Sequence, residues 1–375
     1  MLKLLLTFLL SMLGTLLIIR SAHRHEHLTA DGDLDGPQKF HSKPVPRIGG
    51  LGPFVAMAVT AFYAWWSGLP FGRDAALLIA CSFPAFAAGL VEDLTKRVSP
   101  GIRLLATAIA AALAFFVLDA RISHTDLPGL DWFVGLSAGA FVATVFTVAG
   151  VANSVNIIDG FNGLSSMCVV LMLSAFAFVG FEVGDVQIAT LALLGVTGIA
   201  GFFVWNYPAG LIFLGDGGAY FFGFYVAEVG ILLISRHPEV APLFALTVCI
   251  YPVFETVFSI YRRRFVRAVP PGLPDGIHLH SLIYRRVMRW ALGAADARAL
   301  TRRNSMTAPY LWVLCTFSLV PSLLFWNSTP GLVISIAGFS LIYIGLYRRI
   351  VRFRTPKWMV LRQPDDASVT ERLER

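Results

Sequence analysis

Long apolar blocks separated by polar loops are the feature of this sequence that most limits its fold. Only 14% of the 375 residues are charged, whereas soluble domains carry about 25% charged residues. Blocks of roughly 17–25 apolar residues match the thickness of a bilayer, and lipid cannot satisfy free backbone groups, so such blocks fold as helices. The sequence therefore predicts an all-α, polytopic integral membrane protein with about eleven transmembrane helices. The apolar blocks are 2–19, 51–66, 75–91, 104–118, 132–150, 164–180, 187–204, 217–234, 241–260, 309–326 and 331–347.

The distribution of Lys and Arg predicts the orientation of these helices, because both residue types favour the cytoplasmic side. Of the 30 Lys and Arg residues, 26 fall in the odd-numbered loops and the C-terminal segment. We therefore expect the N-terminus outside and the C-terminus in the cytoplasm. The predicted organisation is one membrane domain over 1–350 and a cytosolic, disordered tail over 351–375. The net charge of +7 does not indicate a nucleic-acid partner, since the basic residues are spread over separate loops.

The odd-numbered loops also carry the motifs that could support chemistry. They include "QKFHSKPVPRIGG", "GLVEDLTKRVSPGIR", "NSVNIIDGFNG", "FLGDGGAYFFG" and "PDGIHLHSLIYRR". Because all five loops are expected on one face of the membrane, they predict a single cytosolic site. The predicted catalytic loops are 20–50, 91–103, 151–163, 205–217 and 262–308.

Two of these loops place carboxylate and amide groups beside apolar helices. Glu92 and Asp93 are adjacent at the end of the third block, where two carboxylates are costly to bury without a cation. Asn153, Asn156 and Asp159 recur every three residues, which puts their oxygens on one helix face and suits a hard cation such as Mg²⁺. Both groups also have a structural interpretation, as a solvated helix end and as a helix cap with an Asx turn.

The "GDGG" motif at 215–218 opens the eighth apolar block. Asp216 is a good residue for a helix N-terminus, and the free N–H groups there also attract phosphate, so capping and function are compatible. The glycines, Gly215 among them, allow close approach of the backbone.

The remaining candidates are basic. His278 and His280 are followed by Arg285, a combination that suits phosphate or a polar sugar better than zinc, because no third Cys or His lies nearby. A solvated basic loop is the alternative. Lys43 and Arg47 are equally consistent with anchoring to anionic lipid headgroups. Together with the carboxylates and amides, these residues indicate Mg²⁺-dependent chemistry on a phosphate at the membrane surface.

On these motifs the chain resembles the polyprenyl-phosphate N-acetylhexosamine-1-phosphate transferases of glycosyltransferase family 4, especially bacterial members that act on undecaprenyl phosphate. The resemblance covers about residues 39 to 290 and rests mainly on "NSVNIIDGFNGL" and "GDGGAYFFG". It implies transfer of N-acetylhexosamine-1-phosphate from a UDP-sugar to polyprenyl phosphate, release of UMP, and a need for Mg²⁺, with Mn²⁺ as a substitute. It also implies the bacterial plasma membrane, a cytoplasmic active site and the first membrane step of a cell-surface polysaccharide such as O-antigen. A homodimer stays open.

The resemblance also assigns roles to individual residues. Asp216 and Asn156 are the implied metal ligands. Asp93, Glu92 and Asp159 are the implied catalytic carboxylates, with Asp93 or Asp159 as the base near the lipid phosphate. The implied substrate-binding residues are Lys43, Arg47, Arg103, Asn153, Gly215, His278, His280 and Arg285.

Two positions depart from the family pattern. Glu92 stands where the family usually has Asp, and Arg103 stands near the place where it often has a pyrophosphate-binding Lys. Both changes keep the charge but alter the geometry, so we expect a divergent, active enzyme. The identity of the N-acetylated sugar and of the base stays open.

The main alternative function is a multi-span transporter of an anionic solute. Transporters place charges near the bilayer midplane, whereas the apolar blocks here are nearly uncharged apart from Glu228 and Glu255. A membrane CDP-alcohol phosphotransferase is a second alternative, but its spaced Asp signature is not visible.

Overall fold

The computed structural model describes residues 1–29, 45–266, 276–288 and 297–352. All regular elements in these ranges are helices, which confirms the predicted all-α class. Lys43 and all but the first two residues of the predicted tail lie outside these ranges. The helices are α1 (Leu2–Thr29), α2 (Leu51–Trp66), α3 (Gly72–Thr95), α4 (Pro100–Val117), α5 (Leu130–Val134), α6 (Ser137–Ile158), α7 (Leu164–Glu182), α8 (Val186–Asn206), α9 (Gly215–Arg236), α10 (Leu243–Val248), α11 (Ile250–Tyr261), α12 (Leu279–Leu282), α13 (Ala297–Leu324) and α14 (Thr329–Val351), with π-helical turns at Arg262–Val266 and Ile283–Met288.

Nine helices in the described part of the chain are long and apolar enough to cross a bilayer. Two of the eleven predicted spans fall short of that length. Helix α2 has 16 residues, and the block 241–260 is divided at Cys249 into α10 and α11. The division has a local cause, because Pro252 lies in the first turn of α11, where its ring would clash with the carbonyl of Val248 in a continuous helix. The count of eleven and the orientation stay predictions.

Helix α9 lies at the centre of the fold. Every residue from Gly217 to Ile234 is buried, and α3 and α6 pack along this helix. A Cβ added to Gly89 of α3 would lie 2.5 Å from the nitrogen of Gly217, so the two backbones are in direct contact there. Small residues allow membrane helices to approach this closely. The contact brings the C-terminal end of α3 onto the N-terminus of α9.

Most motif residues lie on helix ends and not in long loops. Asn153 and Asn156 belong to the last two turns of α6, which leaves only residues 159–163 as the connection to α7. Asp216 lies in the first turn of α9. Parts of the predicted catalytic loops 151–163 and 205–217 are therefore helical, because the helices continue through the polar residues.

Candidate active site

The carboxylate of Asp93 joins the end of α3 to the start of α9. Asp93 is 2% exposed, and its Oδ1 and Oδ2 accept hydrogen bonds from the backbone N–H groups of Asp216 and Gly217, each at 2.9 Å. The first N–H groups of a helix have no partner within the helix, and the helix dipole favours a negative charge beside them. Asp93 therefore caps α9 and fixes the position of Asp216.

The side chain of Asp216 lies in a polar cluster contributed by several helices. Its Oδ1 accepts a hydrogen bond from Nδ2 of Asn156 at 2.9 Å, and its Oδ2 forms an ion pair with Arg103 of α4. The Arg103 guanidinium also lies 5.7 Å from the ring centroid of Tyr220. The Tyr220 hydroxyl donates to Oδ1 of Asn153 at 3.2 Å. Asn153 thus stabilises the aromatic ring behind the ion pair.

The segment before α2 runs beside the chain that enters α9. The N–H of Phe213 donates to the carbonyl oxygen of Pro46 at 2.9 Å. Gly215 has φ +76°, and a Cβ there would lie 1.8 Å from the carbonyl oxygen of Arg47, so this position requires glycine. The Arg47 guanidinium lies near the capping carboxylate, with 4.0 Å between Nη2 and Oδ1 of Asp93. This pairing brings a basic side chain from the start of the chain to the N-terminus of α9.

Asp159 lies directly after α6 and lines the same cavity as Asp216. Its Oδ1 accepts a hydrogen bond from the hydroxyl of Ser165. Burial raises the pKa of Asp159 to about 7, although the Ser165 hydrogen bond lowers it, and the charge of Asp216 adds to the rise. This carboxyl group therefore changes its protonation state near neutral pH.

His278 and His280 line the same cavity, although they lie far away along the chain. Their rings stack with 5.1 Å between centroids and 12° between planes. The His280 ring also meets Phe161 edge-on, 5.5 Å away. Nδ1 of His278 lies 2.9 Å from Oε1 of Glu255, a buried carboxylate of α11. The histidines are therefore buried, ordered groups and not part of a solvated basic loop.

These side chains converge on one cavity of about 420 Å³, which is within the range of small-molecule sites. Its walls come from the segment before α2, from α6 and the loop after it, from the start of α9, and from the segments around α12 and α13. The predicted site residues that line it are Arg47, Asn156, Asp159, Gly215, Asp216, His278 and His280.

Five predicted site residues of the described chain do not line this cavity. Oε2 of Glu92 accepts a hydrogen bond from the N–H of Val98 at 2.6 Å and so holds the turn after α3. Arg285 is exposed on the π-helical turn after α12. The arrangement gives no support to a catalytic Glu92 or a substrate-binding Arg285. The other three contact cavity residues or their neighbours from behind: Asp93, Arg103 and Asn153.

Two asparagines that the sequence analysis missed hold the loop 159–163 and also line the cavity. Oδ1 of Asn206 accepts a hydrogen bond from the N–H of Gly163 at 2.6 Å. Oδ1 of Asn304 accepts one from the N–H of Asn162 at 2.8 Å. An amide at the end of an apolar helix, such as Asn206, needs a hydrogen-bond partner and is the signal that could have found them.

The cavity contains oxygen atoms that can coordinate a hard cation. Within the described ranges, no group of three or more His, Cys, Asp or Glu side chains is arranged to hold a metal ion. The carboxylates of Asp159 and Asp216 and the amide of Asn156 nevertheless face the same space. Mg²⁺ is commonly held by one or two carboxylates, with water and substrate phosphate completing its shell. The residues present fit such a partly protein-bound ion.

The apolar helices and the polar cavity define a multi-pass membrane protein with a polar site at the ends of several helices. Residues 75–234 match the model of glycosyl transferase family 4. This range includes α3, α6 and the start of α9, which supply Asp93, Asn156 and Asp216. The matched range covers less than half of the chain, and it agrees with the family that the motif resemblance predicted.

Named relatives agree with this assignment. The chain is 26% identical over 284 residues to a probable undecaprenyl-phosphate N-acetylglucosaminyl 1-phosphate transferase of Bacillus subtilis, covering 75% of this chain and 77% of the relative. It is 28% identical over 266 residues to an undecaprenyl-phosphate alpha-N-acetylglucosaminyl 1-phosphate transferase of Thermotoga maritima, covering 68% and 75%. It is also 28% identical over 209 residues to a phospho-N-acetylmuramoyl-pentapeptide-transferase of Bacillus anthracis, covering 53% and 64%.

Proposed function

We propose that this protein transfers N-acetylhexosamine-1-phosphate from a UDP-sugar to polyprenyl phosphate and releases UMP. The observation that carries the proposal is the cavity in which Asp216, Asn156 and Asp159 face His278, His280 and Arg47. The Arg47 guanidinium and the N–H groups of the two histidines can bind phosphate, and the carboxylates can hold a divalent ion between the two substrates. The names of the relatives support the polyprenyl phosphate acceptor and the transferred N-acetylhexosamine 1-phosphate group.

We propose Mg²⁺ as the cofactor, with Mn²⁺ able to replace it. Asp216, Asn156 and Asp159 would hold the ion. When bound, it would neutralise charge on the diphosphate and favour departure of UMP. Arg103 already compensates one oxygen of Asp216, and Asp93 keeps Asp216 in place through the backbone of α9.

The reaction we propose is a direct displacement. An oxygen of the lipid phosphate attacks the β-phosphorus of the UDP-sugar, and the bond from that phosphorus to the oxygen bridging the two phosphates breaks, with UMP leaving. A phosphate monoester is already largely anionic near pH 7, so an enzyme nucleophile is unnecessary. The alternative is a covalent aspartyl phosphate. A phosphorylated protein that forms from the UDP-sugar without lipid phosphate would overturn direct displacement.

We place the cavity on the cytoplasmic face of a bacterial plasma membrane, where a soluble nucleotide sugar and a lipid phosphate can meet. The concentration of Lys and Arg in the odd-numbered loops supports this orientation. The product would be the first lipid-linked intermediate of a cell-surface polysaccharide such as O-antigen. The orientation can be tested in intact cells by measuring from which side of the membrane a cysteine introduced into the α6–α7 connection is accessible.

The experiment that tests the reaction uses membranes containing this protein, polyprenyl phosphate, Mg²⁺ and a panel of radiolabelled UDP-N-acetylhexosamines. We expect one sugar to give a labelled lipid, with UMP released in equal amount. The labelled lipid should disappear in Asp216→Ala and with a chelator, and should return when Mg²⁺ is added back. Label that enters vesicles without any lipid product would instead indicate a transporter.

A further inference from the structure

Glu255 is a buried carboxylate that the proposed reaction does not yet use. It lies on α11 and is 1% exposed. Its Oε1 lies 2.9 Å from Nδ1 of His278 and accepts a hydrogen bond from the N–H of Leu279 at 3.0 Å. Its Oε2 accepts one from the hydroxyl of Tyr343 of α14 at 2.7 Å. Three contacts from two other parts of the chain therefore converge on one side chain.

These contacts set the tautomer and the ring orientation of His278. Oε1 already accepts a hydrogen bond from the N–H of Leu279, which can only donate, so this oxygen acts as an acceptor. Nδ1 of His278 must then carry the hydrogen that it shares with Glu255. A carboxylate that binds one nitrogen of an imidazole sets both its tautomer and the direction of the other nitrogen.

The same contact reaches the loop 159–163 through a row of three aromatic rings in contact. His278 stacks on His280, and His280 meets Phe161 of the loop 159–163. A Cβ added to Gly160 would lie 3.6 Å from Nε2 of His280, so this ring closely faces the loop beside Asp159. The orientation of His278 therefore influences His280 as well.

We propose that Glu255 is a positioning residue for donor binding. It holds His278, and through ring stacking His280, in the orientation in which both imidazoles face the diphosphate of the nucleotide sugar. This inference rests on the proposed function for the identity of the donor. Glu255 itself does not line the cavity, so its effect must pass through His278.

A double-mutant cycle tests this pathway. We expect Glu255→Ala to raise KM for the UDP-sugar about tenfold, a size typical of groups that orient binding ligands, while KM for polyprenyl phosphate changes less than about twofold. His278→Ala should give a similar rise, and Glu255→Ala should add nothing further in that background, because residues that act through one contact are not additive. Independent losses, or equal rises for both substrates, would overturn the proposal.

Two further variants control for folding. Glu255→Gln keeps the size of the side chain but removes its charge, and we expect a smaller rise in the same KM. Glu228→Gln is the matched control, because Glu228 is also fully buried but lies within α9 away from the cavity lining. It should leave both KM values unchanged.

A binding measurement separates this inference from the proposed function. Titration of the purified protein with UDP by calorimetry reports on the cavity without turnover. If the wild-type protein binds UDP but forms no lipid product, the reaction is wrong, and the loss of UDP affinity in Glu255→Ala still tests the positioning role. If the wild-type protein does not bind UDP, both proposals fail. If it turns over and Glu255→Ala behaves like the wild type, the positioning role alone is wrong.

Discussion

The two ends of α9 both carry ion pairs, but only one end forms a polar site. At its start, Asp216 pairs with Arg103 of α4. At its other end, Arg236 pairs with Asp74 of α3, with 2.7 Å between Nη2 and Oδ2. Each end of α9 therefore carries an ion pair with a neighbouring helix. What differs is the surroundings of each pair.

The far end is stabilised by pairs between neighbouring loops. Nε2 of His237 lies 2.9 Å from Oδ2 of Asp185, and Asp185 also caps α8 through the N–H of Ile188. The cavity beside them is lined by Pro70, Phe71 and two valines together with Asp185, Gln187, Thr190 and His237. At the start of α9, by contrast, carboxylates, amides and histidines from distant parts of the chain face one space. Asp216 of the first ion pair lines the cavity at its end of α9, whereas neither Asp74 nor Arg236 lines the cavity at the far end.

The largest expected difference between the two ends is catalytic. We expect Asp216→Asn to lower kcat/KM for the UDP-sugar about 10³-fold, since it removes a charge that the reaction needs at the diphosphate. The matched substitution Asp74→Asn breaks an ion pair at the other end of the same helix and should change kcat/KM less than about twofold. Radiolabelled lipid formation measures both. Equal losses at the two ends would remove the distinction between them.

The basic partners should differ in the same direction by a smaller factor. We expect Arg103→Ala to lower kcat/KM roughly 50-fold, because the charge on Asp216 is then uncompensated, and Arg103→Lys to retain part of the activity. Arg236→Ala is the matched control at the far end, where the same loss of a guanidinium should leave the rate nearly unchanged. Initial rates at several UDP-sugar concentrations distinguish the variants.

The raised pKa of Asp159 predicts that the stability of the protein changes with pH. Its pKa in the folded protein is raised to about 7, so between about pH 4 and pH 7 the folded state holds a proton that the unfolded state has lost, and stability falls as pH rises. Without divalent ions, Asp159→Asn should therefore become more stable than the wild type as pH increases, by up to a few kcal/mol at pH 8.

The measurement is thermal unfolding in detergent with a chelator, followed by tryptophan fluorescence. The difference in Tm between Asp159→Asn and the wild type should be small at pH 4.5 and largest at pH 8. Added Mg²⁺ should reduce the difference at pH 8, because an ion held by the ionised carboxylate stabilises the wild type alone. A difference that does not depend on pH would contradict the raised pKa.

The smallest effect is expected at the far end. Burial raises the pKa of Asp185, but the hydrogen bonds from His237 and from the N–H of Ile188 lower it more, and its net pKa lies below the usual value. Its contribution to stability is therefore present above the pKa of the unfolded state and is lost in acid. Asp185→Asn keeps a cap for α8 but loses the ion pair. We therefore expect it to lower the free energy of unfolding at pH 7 by about 1 kcal/mol or less and to leave the activity unchanged.

The sequence predicted the positions of some of these residues but not of others. Asp216, Asn156 and His280 were predicted to meet, and the structure brings Asp216 and Asn156 within hydrogen-bond distance and His280 into the same cavity. Glu92 and Asp93 were both predicted as catalytic carboxylates at the end of α3. Their side chains leave α3 in different directions, so that Asp93 caps α9 and Glu92 binds the turn after α3.

The sequence alone determined the membrane class, the helical fold and the residue types that the site needs, because apolar length and local polar spacing are properties of short segments. It could not show that Glu255 contacts His278, that Asn206 and Asn304 hold the loop after α6, or that Gly89 lets α3 touch α9. Those contacts depend on how the helices rotate and approach one another. Only the packing around α9 decided which charged side chains face the cavity and which hold its walls.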